Sequence, residues 1–300
     1  MGIGSHLLNP VNLDLVRTTS WARGRPRIVE AGLRYYEAHP DEVAEVAANL
    51  SHMGLPASGA ALDEVLREIA VHYYEKLFIL TKGYEAVWIV KNRVEIAPGA
   101  LEPLEEARAA GKAVFLAGCH FGATYLQALV LAARGWDLNA VGRFPGPVGE
   151  ALRANDARFA ERYGTGRTTF LDVSDPQADV PGAMLQILMT GRVLSNVFDE
   201  NNAFSGPHTL LGRTVYGGSG MDLILRHFRD ERVLVATPFL IRTSEETFRY
   251  EVDTHSLNTP GLIDGFYRSL ERRLVSWHPQ WYFIHELQEA LEDKRPGARR

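Results

Sequence analysis

Cysteine is almost absent from this 300-residue chain. Cys119 stands alone, so no intrachain disulfide can form and a reducing, cytosolic setting is the default. No apolar run reaches the roughly 20 residues that span a bilayer. The opening stretch, MGIGSHLLNPVNLDLVRTTSWARGR, carries no uninterrupted signal-type core. The chain is therefore expected not to cross a membrane. Contact with a membrane surface stays open, because Trp21 lies among Arg17, Arg23, Arg25 and Arg27, a modest interfacial pattern. Positive charge is not in excess either. A net charge of -5 removes the global basic surface that nucleic-acid binding needs, so no nucleic-acid partner is expected. His208, His227, His255, His278 and His285 show no metal-ligand spacing, and GRFPGPVG lacks the Lys-Ser/Thr ending of a nucleotide phosphate loop. No metal or other cofactor is expected.

What is present is the ordinary composition of a folded protein, 46% hydrophobic and 23% charged, at a length that buries a substantial core. The first hundred residues read as mostly helical. Pro26 to Asn49 breaks at His39-Pro40, and apolar residues from Leu62 to Phe78 recur at three-to-four spacing. After Pro98 the pattern changes to short apolar runs alternating with helical stretches. Strands are expected at 113–118, 139–142, 168–173, 193–199 and 232–242, with a polar-alternating edge strand at 247–252. Helices are expected at 101–110, 120–134, 151–163, 182–190, 219–229 and 261–277. This alternation predicts an α/β fold with a mixed, mostly parallel central sheet covered by helices on both faces. The expected organisation is a helical segment (1–97) packed on an α/β domain (98–290), then a frayed tail (291–300).

One corner carries chemistry. In LAGCHFGATYLQALVLAARG a buried strand runs into a helix through a glycine-bearing turn, and the carboxyl ends of strands are where α/β sheets bind ligands. His120 there has the setting of a general base, near helix N–H groups that favour developing negative charge. Position alone fits a capping role equally. Asp199 and Glu200 end another strand and precede a loop; adjacent strand residues point apart, so one of them is expected to face His120. Cys119 adjoins His120, but a lone cysteine at a strand end is usually just buried.

The stretch VFLAGCHFGATYLQALVLAARG resembles the signature region of the lipid A biosynthesis (lauroyl/myristoyl) acyltransferase family, including phosphatidylinositol mannoside acyltransferase-like proteins. The likeness continues in order through VAANL (46–50), AVGRF (140–144), NVFDENN (196–202), LLGRTVYGGSG (210–220), VLVATPFLIR (233–242) and WHPQWYFIHELQ (277–288), nearly the whole chain. Each motif is weak alone; their order and spacing are what make the resemblance specific.

The resemblance implies a glycerolipid acyltransferase-like fold and acyl transfer from acyl carrier protein or acyl-CoA to a lipid, glycolipid or small-molecule acceptor. It implies a cytoplasmic protein, peripheral on the inner face of the cell membrane. It places His120 as general base, and Arg143 and Arg213 as contacts for an anionic group. Backbone N–H groups near Gly122 are expected in the oxyanion site. The family motif sets an Asp or Glu five positions after the histidine, whereas Tyr125 stands there in this chain. A neutral phenol hydrogen-bonds an imidazole but does not balance its charge. Three readings stay open: another acid, Asp199 or Glu200, substitutes; the site runs a chemistry that needs a weaker base, such as attack by an already nucleophilic amine or carrier thiol; or catalysis is lost, leaving a protein that binds acyl groups or carriers. A repurposed relative that condenses or cyclises a carrier-bound intermediate is the remaining alternative function.

Overall fold

A computed structural model describes residues 2–144, 146–175, 177–218 and 220–294. The expected frayed tail lies outside the described residues from 295 onward, as does Ser219, the expected start of a helix. Five helices come first: α1 (Ile3–Leu7), α2 (Pro10–Thr18), α3 (Trp21–Ala38), α4 (Pro40–His52) and α5 (Gly59–Arg93). Pro40 separates α3 from α4, because a residue preceding proline is driven out of helical geometry; His39 sits at φ -130°, ψ 66°. Much longer than expected, α5 continues past a kink at Lys82.

The remainder alternates: β1 (Val94–Ile96), α6 (Glu102–Ala109), β2 (Ala113–Gly118), α7 (Thr124–Ala132), β3 (Leu138–Gly142), α8 (Gly146–Tyr163), β4 (Thr168–Asp172), α9 (Val180–Met189), β5 (Val193–Val197), β6 (Gly206–Leu210), β7 (Arg213–Gly217), α10 (Met221–Leu225), β8 (Val233–Arg242), β9 (Phe248–His255), α11 (Leu262–Trp277) and α12 (Leu287–Leu291). Two short 3-10 segments, His278–Gln280 and Tyr282–Glu286, precede α12.

Seven strands form one sheet in the order β1-β9-β8-β2-β5-β3-β4, while β6 and β7 make a separate hairpin. All pairings in the large sheet are parallel except β8 with β9. The protein is therefore α/β, with a mostly parallel mixed sheet. Along β2, Ala113, Phe115 and Ala117 belong to one apolar cluster and Val114 and Leu116 to another, so both faces are covered. That double burial explains why AVFLAG is apolar throughout.

Two expectations are corrected. The strand β9 is not at the edge, because β1 pairs outside it. The segment 1–97 is thus not purely helical; its last residues supply the outermost strand of the sheet. No helix among the described residues is long and apolar enough to cross a membrane.

Candidate active site

Strand register brings the central pair together. Gly118 of β2 lies opposite Val197 of β5, so two residues beyond each strand His120 meets Asp199. The carboxylate grips the histidine twice. Asp199 Oδ2 accepts the His120 backbone N–H at 2.8 Å, and Oδ1 lies 2.8 Å from Nδ1. Asp199 is 2% exposed, so the contact is screened from water. This fixes the imidazole with Nδ1 toward the acid and Nε2 directed away, 3.6 Å from Glu200 Oε1. Phe283 stacks on the ring with centroids 5.3 Å apart, and Tyr282 meets it edge-on at 5.3 Å.

Burial opposes the imidazolium, but Asp199, with Glu200 and Glu286 beyond it, outweighs that effect and pushes His120 up to about 9. Burial also raises the Glu200 carboxyl above the usual range, against the pull of His120 and of Arg143. Arg143, one residue past β3, thus belongs to the same electrostatic neighbourhood. The Cys119 thiol is buried beside Asp199, and both effects push its pKa well above the ordinary thiol value. A protonated, buried thiol is a poor nucleophile.

Other expected residues lie elsewhere or act differently. Tyr125 does not replace the missing acid: among the described residues it makes no hydrogen bond to His120. Its ring faces His72 at 5.0 Å, with the Lys76 ammonium 5.7 Å from its centroid. Burial raises its phenol pKa, keeping it neutral. The expected backbone donors near Gly122 are already committed. The N–H groups of Phe121, Gly122 and Ala123 donate to the carbonyls of Cys119, Gln280 and Leu240. Gly122 instead shapes the turn: its φ is +65°, and a Cβ there would sit 2.2 Å from the Leu240 carbonyl oxygen. Arg213 is also displaced. The Gly217 end of the β6–β7 hairpin packs on Phe198, whereas Arg213 is exposed at the far end.

Residues not anticipated brace this corner. Arg242, at the end of β8, donates to Glu75 at 2.7 and 2.8 Å, to Glu68 at 2.8 Å and to the Gly122 carbonyl at 2.9 Å. Gln280 completes the tie by accepting the Arg242 N–H at 2.9 Å and donating to its carbonyl at 2.8 Å. His72 stacks under Tyr282 at 3.2 Å, and burial, reinforced by the Arg242 charge, holds its imidazole well below the ordinary value. A signal existed: Glu68, His72, Glu75 and Lys76 fall at helical three-to-four spacing within an apolar helix. His285 is structural here, paired with the Tyr73 hydroxyl at 3.1 Å and with the Tyr282 carbonyl. Among the described residues no cluster of three or more metal-binding side chains exists.

No family model matches the chain, and no curated protein matches it either.

Proposed function

We propose that the protein is an acyltransferase with a glycerolipid acyltransferase-like fold. It moves an acyl group from acyl carrier protein or acyl-CoA to a hydroxyl or amine of a lipid, glycolipid or specialised metabolite. The observation that carries this reading is the double grip of Asp199 on His120. It supplies from a neighbouring strand the acid that position 125 lacks, and it holds Nε2 toward the half-exposed Glu200 and the carboxyl ends of the strands.

The steps balance simply. The acceptor O–H or N–H gives its proton to His120 Nε2 as its oxygen or nitrogen attacks the thioester carbonyl. The C–S bond then breaks, and the departing thiolate takes the proton. Asp199 steadies the imidazolium and its tautomer between these events. Arg143 is suited to the phosphate of a pantetheine-bearing donor. The setting we propose is cytoplasmic, peripheral on the inner face of the cell membrane.

The test is thiol release from a panel of acyl-carrier and acyl-CoA donors with candidate acceptors, repeated with His120→Ala. The expected loss is about 10²- to 10⁴-fold, the usual worth of a positioned general base. Equal rates in both proteins would remove His120 from the chemistry. Donor binding without turnover would favour a carrier-binding protein instead, and a cyclised or condensed product would favour the repurposed enzyme.

A further inference from the structure

Acyl transfer puts negative charge on the thioester carbonyl oxygen, and hydrogen-bond donors must meet it there. Between residues 120 and 123 the turn after β2 has none to spare. Asp199 holds the His120 N–H, and backbone carbonyls hold those of Phe121, Gly122 and Ala123. Among the described residues two phenyl-type rings lie on the His120 imidazole, those of Phe283 and Tyr282. Phe283 has no donor; Tyr282 has a phenol O–H.

Tyr282 combines three properties that this task needs. Its ring is held between two histidines, stacked on His72 at 3.2 Å and edge-on to His120 at 5.3 Å, so it is oriented before any substrate arrives. Its hydroxyl has no hydrogen-bond partner among the described residues, although the residue is only 7% exposed. Hydroxyls in such surroundings are normally paired. The oxygen is also open to a guest, in contrast to the unpaired hydroxyls of Tyr36 and Tyr250, which are sealed. Burial, with Tyr125 and Asp199 nearby, raises the Tyr282 phenol pKa, so the group meets a substrate as a neutral donor.

We propose that the Tyr282 hydroxyl is the oxyanion donor of this site, hydrogen-bonding the carbonyl oxygen of the acyl donor as that oxygen gains charge. The proposal rests on the acyl-transfer reading. The phenol keeps its proton throughout. The C=O electron pair moves onto oxygen as the acceptor attacks and returns as the C–S bond breaks, while the leaving thiolate takes the proton held by His120. The Tyr125 hydroxyl is likewise unpaired, but its ring faces His72 and Lys76 rather than His120.

Tyr282→Phe removes one oxygen and keeps the ring with both of its histidine contacts. In the thiol-release assay kcat should fall about 10²- to 10³-fold, the usual worth of one oxyanion donor, while KM for the acyl donor stays within about twofold. The thermal midpoint and the His120 titration near 9 should not move, which separates a lost donor from a displaced imidazole. Tyr163→Phe, on α8, should keep the native rate. A kcat for Tyr282→Phe within about threefold of native would overturn the proposal, as would a loss confined to Tyr125→Phe. Calorimetric titration with octanoate, whose carboxylate stands in for the charged oxygen, needs no turnover. Octanoate should bind Tyr282→Phe about tenfold more weakly than the native protein, and equal binding would overturn the proposal. Failure of the acyl-transfer reading shows differently: thiol release absent, or equal in His120→Ala, while octanoate still distinguishes Tyr282→Phe from native.

Discussion

Asp199→Asn is the most informative single change in this protein. The substitution keeps the shape but removes the charge, and it turns one of two acceptors into a donor. An amide oxygen serves either the His120 backbone N–H or Nδ1–H, not both, since both now lean on the two carboxylate oxygens. With the amide oxygen on the backbone, the NH₂ group faces Nδ1 and forces the tautomer whose proton sits on Nε2, where no base can act. Removing the carboxylate also leaves burial, which disfavours the imidazolium, without its main counterweight. The pKa of His120, pushed up to about 9 in the native protein, should fall to 6.5 or below. That difference amounts to about 3 kcal/mol favouring the charged ring.

The sign for stability follows. A folded-state pKa above the unfolded one contributes stability that is fully present below pH 6.5 and is lost as the pH climbs through about 9. The stability gap between native protein and variant should therefore shrink by about 3 kcal/mol across that window. Imidazole titration by NMR, with the His120 signal assigned by its absence in His120→Ala, measures the midpoint. On the acyl-transfer reading proposed above, kcat/KM of the native protein should rise with pH up to about 9, since the base must be neutral. A variant that still titrates near 9 would refute the claim that Asp199 governs His120.

Gly122→Ala should destabilise by about 2–4 kcal/mol, because it combines a left-handed backbone with a 2.2 Å clash against the Leu240 carbonyl; thermal unfolding reads it, and an unchanged midpoint contradicts the turn geometry. Arg242→Ala should cost about 3–5 kcal/mol in urea unfolding by leaving Glu75 buried without its cation, and a loss under about 1 kcal/mol would show that the tie is dispensable.

Much of this architecture was legible because double burial writes itself into composition: AVFLAG and RVLVATPFLIR read as strands without periodicity. Elements whose shape comes from contacts were not legible. The three residues of β1 are too few to show a pattern. The β6–β7 hairpin turns through Leu211 and Gly212, both at positive φ, and a leucine there carries no turn signal. That unseen hairpin is also why Arg213, well placed by order along the chain, ends exposed at the turn end of β6–β7, opposite the Gly217 end that packs on Phe198. The helix expected from His120 begins only at Thr124, because Gly122 adopts the left-handed conformation. For the acid, sequence narrowed the choice to Asp199 or Glu200, and register decides between them: two residues beyond paired strand ends, Asp199 takes Nδ1 and Glu200 falls toward Nε2.

The Arg242 tie also bears on the order in which the protein folds. Its contacts join residues 167 and 120 positions apart, and Gln280 adds another partner from near the end of the described chain. Contacts of such sequence separation form late, because the entropy of closing long loops must be met before they stabilise anything. The sheet meets the same demand, since β2 with β8 pairs residues 120 positions apart and β1 with β9 pairs residues 154 apart, so the brace and that half of the sheet close together. In a refolding time course, the environment of His120 should therefore recover together with the β2–β8 half of the sheet, not after it.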